Sequence, residues 1–137
     1  MDQKPMSILL VEDNPADVGL LREALQEHGV EAQLTVVTDG EQAIQLIQDI
    51  ESQRAACPDL FIVDLNLPKR PGREVLERMG LSKCRHAPVV VLSSSDSPRD
   101  KEIAARLGVR YICKPSRLEE FLSLGAVFKE ILSDSGQ

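Results

Sequence analysis

The 137-residue sequence has few of the residues that form disulfide frameworks or zinc sites. It contains three cysteines, Cys57, Cys84 and Cys113, an odd number without a CxxC spacing. We therefore expect no disulfide framework and a reducing compartment. The two histidines, His28 and His86, are too few and too isolated to predict a zinc site.

Long apolar runs and an excess of basic residues are also absent. No stretch reaches the roughly 18 apolar residues of a membrane span, and residues 1–5 are polar, unlike the start of a signal peptide. Acidic residues outnumber basic ones, 22 to 16, which gives a formal net charge of -6. A protein that neutralises nucleic-acid phosphates normally has the opposite balance. We expect a cytoplasmic protein with neither membrane association nor direct DNA binding.

What is present is typical of one globular domain. Hydrophobic residues make up 42% and charged residues 28% of the chain, which is close to the average for such domains. A chain of this length can form one stable hydrophobic core without disulfides or a structural metal. We expect a single domain over residues 1–137, with its core at about 6–133. No effector domain is expected, because only residues 133–137 follow the last predicted helix.

Five short apolar runs alternate with segments of helical periodicity. The runs cover residues 7–11, 34–37, 60–63, 88–92 and 109–113. Most of them are continuously apolar, which favours parallel strands buried on both faces. Asn14 and Asp39 are placed to cap the first two helices. Since crossovers between parallel strands are right-handed, the pattern predicts a doubly wound α/β fold with helices on both faces of the sheet.

Polar side chains follow all five predicted strands, but Thr38 and Asp39 after the second are typical of a turn and a helix cap, which leaves four strand ends. Glu12 and Asp13 end the first strand, Asp64 the third, Ser93 the fourth and Lys114 the fifth. Ligands of open α/β sheets bind at this edge, so we expect these side chains to converge. Three carboxylates in one cleft repel one another, and a hard cation such as Mg²⁺ relieves that repulsion. An aspartate in such a site can act as a nucleophile and form an acyl phosphate.

The segments that carry these residues resemble the receiver domain of two-component response regulators, over essentially the whole chain. The matching segments are ILLVEDN (8–14), VDLNLP (63–68), VVLS (90–93) and YICKP (111–115), in the family's order. The resemblance implies a flavodoxin-like (βα)5 three-layer sandwich with a parallel sheet of strand order 2-1-3-4-5.

The resemblance also implies roles for the acidic residues. Asp64 would be the phosphoacceptor, which takes a phosphoryl group from a phosphohistidine of a histidine kinase. Asp13, Asp64 and the backbone carbonyl of Asn66 would bind Mg²⁺, with Mn²⁺ as a substitute, and Glu12 would act through a bound water. The protein would then catalyse only its own phosphorylation and autodephosphorylation, and would otherwise not be an enzyme.

Three further residues complete the implied switch. Lys114 would pair with the phosphoryl oxygens, and the Lys114–Pro115 bond is expected to be cis. Ser93 would be the switch hydroxyl that engages the phosphoryl group. Tyr111 would be the aromatic residue that turns inward when it does so.

The segments VEDNPAD (11–17) and DLNLP (64–68) resemble, more narrowly, standalone receivers that work with phytochrome-type histidine kinases. The implied partner is a sensor histidine kinase of that kind or a phosphotransfer protein. A receiver homodimer is compatible with this resemblance. Signalling would pass through protein contacts or through onward transfer of the phosphoryl group.

Two other functions compete with the receiver. A haloacid-dehalogenase-type phosphatase also uses an aspartate nucleophile and Mg²⁺, but it requires a second aspartate at the position that Asn66 occupies here. A pseudo-receiver scaffold that is never phosphorylated usually lacks the acceptor, the lysine or one of the acidic pair. All of these residues are present in this chain.

Overall fold

Five parallel strands and five helices alternate along residues 6–135, the part of the chain that the computed structural model describes. The strands form one sheet in the order β2-β1-β3-β4-β5, with every neighbouring pair parallel. The elements are β1 (Met6–Val11), α1 (Pro15–Glu27), β2 (Ala32–Val37), α2 (Gly40–Glu51), β3 (Leu60–Val63), α3 (Gly72–Leu81), β4 (Val89–Ser93), α4 (Pro98–Leu107), β5 (Arg110–Cys113) and α5 (Leu118–Ser135). The predicted flavodoxin-like fold and strand order are confirmed.

The sheet separates two hydrophobic layers. Successive residues of a strand point to opposite faces, so Leu9 and Val11 of β1 pack with α2 and α3, whereas Ile8 and Leu10 pack with α1 and α5. The second layer includes the large aromatic side chain of Phe128, which is fully buried. Burial on both faces explains why the central strands are continuously apolar in sequence.

The edge strands differ from this expectation. All of β3 and most of β1 and β4 are buried, but β2 alternates between half-buried and exposed residues. Both end residues of β5 are exposed. Burial on both faces, which was expected for most of the strands, therefore holds for β1, β3 and β4, whereas β2 and β5 at the edges of the sheet are only partly buried.

Three helices begin with side-chain caps, and those of α1 and α2 follow their strands most closely. The Asn14 side-chain oxygen accepts hydrogen bonds from the backbone N–H groups of Ala16 and Asp17, at 2.9 and 3.4 Å. Asp39 accepts one from the N–H of Gln42 at 2.8 Å. Both caps were predicted from sequence, and each fixes the turn between the carboxyl end of a strand and the helix that follows it.

A disulfide joins Cys57 and Cys84, which are 27 residues apart in the sequence. The expectation of no disulfide framework did not foresee this single bond. The fold brings the loop before β3 next to the segment after α3, a proximity that the spacing of the cysteines does not reveal. Cys113 is a free and exposed cysteine.

Replacing the exposed Cys57 with serine should lower the free energy of unfolding of the oxidised protein by about 3 kcal/mol, because the bond restricts the unfolded chain. The partner Cys84 is buried, so C57S removes the bond without opening a cavity. Urea unfolding with and without dithiothreitol measures the effect. The reduced wild type should match the variant, and a wild type insensitive to the reductant would contradict the bond.

Every peptide bond within residues 6–135 is trans. The expected cis bond between Lys114 and Pro115 is therefore wrong for this structure, which has the form that X–Pro bonds ordinarily prefer. None of the helices in the same range is both long and apolar enough to cross a membrane.

Candidate metal and phosphoacceptor site

The carboxyl ends of β1, β3, β4 and β5 bring the predicted site residues to one edge of the sheet. Glu12 and Asp13 follow β1, Asp64 follows β3, Ser93 is the last residue of β4 and Lys114 follows β5. The carboxylate oxygens of Glu12, Asp13 and Asp64 lie within 4.8 Å of one another. The structure thus assembles the cluster that the strand ends lead one to expect.

Backbone hydrogen bonds that continue the sheet fix these positions. The N–H of Asp64 donates to the Val11 carbonyl at 3.0 Å, and the N–H of Lys114 donates to the Ser93 carbonyl at 2.7 Å. A Cβ at Gly72, the first residue of α3, would lie only 2.4 Å from the Asp64 carbonyl oxygen. Glycine at position 72 therefore allows α3 to begin directly against the residue that follows β3.

Lys114 lies beside the cluster and forms three ion pairs within the described part of the chain. Its Nζ lies 2.6 Å from Glu12, 2.8 Å from Asp17 and 3.1 Å from Asp64. The side chains of Glu12, Asp64 and Lys114 are each less than a tenth exposed, and that of Asp17 is 19% exposed. An ammonium has three N–H donors, so three carboxylates match its full capacity.

Burial and pairing shift the pKa values of two groups in opposite senses. Burial raises the pKa of Glu12 to about 7, and the hydrogen bond and charge of Lys114 only partly oppose that rise. Burial alone would lower the pKa of Lys114, but its hydrogen bonds to Asp17 and Glu12 and the charge of Asp64 raise it overall. Lys114 is therefore charged, and a cation bound among the carboxylates would favour the ionised form of Glu12.

The residues of this cluster fit a hard divalent cation. Glu12, Asp13 and Asp64 offer three carboxylate ligands and no imidazole or thiolate, which suits Mg²⁺ or Mn²⁺ better than zinc. Asp13 is exposed while the other two are buried, so the site is open on one side. The backbone N–H of Asn66 donates to Asp64 Oδ1 at 3.0 Å, which places the backbone of Asn66 beside the acceptor.

The two predicted switch residues are connected through Ser95. The buried Ser93 Oγ accepts a hydrogen bond from the Ser95 N–H at 3.2 Å and one from the Asn66 side chain at 3.5 Å. The half-buried Tyr111 donates its hydroxyl hydrogen bond to the Ser95 carbonyl. A displacement of Ser93 would therefore be transmitted to Tyr111 through one residue of the loop after β4.

Sequence reasoning missed Asp17 as a partner of Lys114. Asp17 lies in the first turn of α1, a position where an acidic residue is common because it complements the helix dipole. Its contact with Lys114 spans 97 residues of sequence. Only the fold, in which α1 packs against α5, brings Asp17 near the residue that follows β5.

The chain matches the family model of the response regulator receiver domain over residues 8–124. It belongs to that family. The response regulator Rcp1 of Synechocystis sp. is 35% identical to this receiver over 123 residues, which cover 88% of this chain and 84% of Rcp1.

Solved structures agree with this assignment. The phosphorylated cyanobacterial phytochrome response regulator RcpA superposes on this receiver with a TM-score of 0.86, at 36% identity and with 96% of each chain covered. The Mn²⁺-bound form of response regulator Rcp1 does so with a TM-score of 0.82, at 33% identity, covering 92% of this chain and 93% of that one. The predicted resemblance to phytochrome response regulators is thereby confirmed.

Proposed function

We propose that this receiver accepts a phosphoryl group on Asp64 from the phosphohistidine of a histidine kinase, in a reaction that depends on Mg²⁺. The observation that carries the proposal is the contact of the Lys114 ammonium with Asp64, 3.1 Å away, beside three clustered carboxylates. Transfer of a phosphoryl group to an aspartate requires a nucleophilic carboxylate and oxygen ligands for a metal cation, and the fixed Lys114 ammonium is placed to hold the phosphoryl group once it is transferred.

Two hydrogen bonds orient the acceptor. The Asn66 N–H donates to Asp64 Oδ1, and Lys114 donates to Oδ2. In the transfer, a carboxylate oxygen of Asp64 forms a bond to phosphorus while the phosphorus–nitrogen bond breaks and its electron pair returns to the imidazole. Mg²⁺ held by Asp13, Asp64, the Asn66 carbonyl and, through water, Glu12 would supply further positive charge to the phosphoryl oxygens.

The phosphoryl group would then act on Ser93 and Tyr111. It brings roughly -1.5 to -2 charges and three acceptor oxygens, which attract the Ser93 hydroxyl and the Lys114 ammonium. Ser93 would give up its present hydrogen bonds, and the Ser95 carbonyl that holds Tyr111 would move with the loop. A shift from mostly inactive to mostly active requires about 5.5 kcal/mol of differential stabilisation, which charge-assisted hydrogen bonds of this kind can supply.

The partner that we propose is a sensor histidine kinase, of the phytochrome type by similarity to RcpA, or a phosphotransfer protein. The whole chain, 1–137, would act in the cytoplasm as a single receiver domain that switches a protein-interaction surface or relays the phosphoryl group. A homodimer is compatible with that role. In that compartment the bond between Cys57 and Cys84 would exchange with cellular thiols, and Cys57 is its exposed end.

The observed contacts favour neither alternative function. Asn66 stands where a haloacid-dehalogenase-type phosphatase needs a carboxyl acid and base, and its amide donates a hydrogen bond to Ser93. A pseudo-receiver would be expected to lack part of the charged cluster, yet Lys114 contacts Glu12 and Asp64 directly.

Incubation with acetyl phosphate, with and without Mg²⁺, tests the proposal through the intact mass of the protein. One added phosphoryl mass that depends on the metal is the expected result. Where fast hydrolysis hides the adduct, binding of beryllofluoride in the presence of Mg²⁺ replaces it as the readout. Failure of both would refute the proposal and leave the pseudo-receiver scaffold.

Replacing Lys114 with alanine should leave Asp64 able to receive a phosphoryl group but abolish the response of Tyr111, because the ammonium no longer draws the phosphoryl group and Ser93 together. Tyr111 is the single tyrosine of a chain without tryptophan, so the intrinsic fluorescence reports on it alone. The fluorescence change on addition of beryllofluoride should be lost in K114A. The exposed Lys129 on α5 provides the matched control K129A, and a normal response of K114A would contradict the coupling role.

A further inference from the structure

Among the ion-pair partners of Lys114 within residues 6–135, the Asp17 carboxylate is the one for which the proposed phosphotransfer has no use. Of the three carboxylates paired with this ammonium, Asp64 is the proposed acceptor and Glu12 belongs to the metal cluster. Asp17 lies outside that cluster, yet its Oδ2 lies 2.8 Å from Lys114 Nζ. This is shorter than the distance from Lys114 to Asp64.

A helix-capping role does not account for this contact. Asp17 is the third residue of α1, where an acidic side chain often folds back to accept the N–H of the capping residue. That N–H belongs to Asn14 and already donates to Glu12 Oε2 at 3.2 Å. The Asp17 carboxylate instead reaches across the cleft to the residue that follows β5.

We infer that Asp17 is a positioning residue that holds the Lys114 ammonium in the unphosphorylated protein and competes for it with the incoming phosphoryl group. This inference rests on the proposed function of Asp64. It follows from donor capacity, because an ammonium with three N–H groups already faces three carboxylates. A phosphoryl group on Asp64 takes over the N–H that Asp64 now accepts, and it can engage a second N–H of Lys114 only at the expense of Glu12 or Asp17.

The charge of Asp17 acts in the same direction as this competition. The oxygens of Asp17 and Asp64 that contact Lys114 both lie about 3 Å from the same nitrogen, so they lie within about 6 Å of each other. A phosphoryl group on Asp64 therefore approaches a like charge at short range in a partly buried site, where screening is incomplete. Both effects mean that Asp17 disfavours the phosphorylated state relative to the unphosphorylated one.

The test is the affinity for beryllofluoride, measured by calorimetry at a Mg²⁺ concentration that saturates each variant. D17N preserves the size of the side chain and removes its charge, and we expect beryllofluoride to bind about twofold to fivefold more tightly, as for loss of one partly exposed ion pair. Glu23, an exposed residue further along α1, provides the control E23Q, which makes the same change in net charge. E23Q should bind as the wild type does.

A second measurement tests the ion pair without any ligand. In urea unfolding, the change in stability caused by D17N should largely disappear in a K114A background, because the partner of Asp17 is then absent. Additive effects of the two substitutions would overturn the inference, since a residue that acts only through its helix is indifferent to Lys114.

The outcomes distinguish this inference from the proposed function. A wild type that does not bind beryllofluoride would count against Asp64 as phosphoacceptor, and with it against competition for Lys114. A wild type that binds, with D17N unchanged or weaker, would overturn the role of Asp17 alone. Equal tightening in D17N and E23Q would also overturn it, because net charge would then explain the effect.

Discussion

Replacing Asp64 with asparagine should abolish phosphorylation by acetyl phosphate and leave the fold intact. An amide oxygen is a far weaker nucleophile than a carboxylate, so no acyl phosphate forms at this position. The asparagine can still accept the N–H of Asn66, and Lys114 keeps its contacts with Glu12 and Asp17. Removing one of the clustered carboxylates also lessens their mutual repulsion.

The measurement is the intact mass after incubation with acetyl phosphate and Mg²⁺, with circular dichroism to verify the fold. Asp59, the residue before β3, provides a matched control at the opposite end of the same strand. It accepts the N–H of Ser7 at 2.8 Å, which the asparagine of D59N can still do, so D59N should be labelled as the wild type is. A phosphoryl mass on D64N at the wild-type level would show that another residue is the acceptor.

Local sequence patterns predicted most of the fold and of the candidate site because the strands, the helix caps and the polar strand ends each depend on only a few consecutive residues. The continuous apolar run of β3 predicts a strand buried on both faces, and the polar residues that end the strands must meet at one edge of a parallel sheet. That reasoning located Glu12, Asp13, Asp64, Ser93 and Lys114 without a structure.

The features that sequence reasoning missed depend on packing between distant segments. In sequence Asp17 is an ordinary acidic residue of a first helical turn, and only the fold brings its side chain to Lys114. Cys57 and Cys84 have no characteristic spacing. Their bond forms because the segment after α3 lies next to the loop before β3. The exposure of β5 follows from its place at the edge, which its own apolar residues do not indicate.

Replacing Asp13 with asparagine should weaken Mg²⁺ binding by at least about tenfold, because one formal charge is lost at close range to a divalent ion. Asp13 is the exposed member of the carboxylate cluster, so the substitution disturbs no buried contact and the fold should persist. Asp64 and Lys114 keep their geometry, so the acceptor itself remains competent.

The weaker Mg²⁺ binding of D13N should therefore raise the metal concentration that phosphorylation needs, without lowering the maximal extent of phosphorylation. A titration of the acetyl phosphate reaction with Mg²⁺ should show half-maximal labelling of D13N at a correspondingly higher metal concentration, with full labelling regained at saturation. The exposed Asp134 near the end of α5 provides the control D134N, which should follow the wild-type curve. A D13N curve that coincides with the wild-type curve would show that Asp13 is not a metal ligand. Labelling that stays absent at saturating Mg²⁺ would instead mean that Asp13 acts on the phosphoryl group itself, since a metal ligand that only contributes affinity can be compensated by concentration.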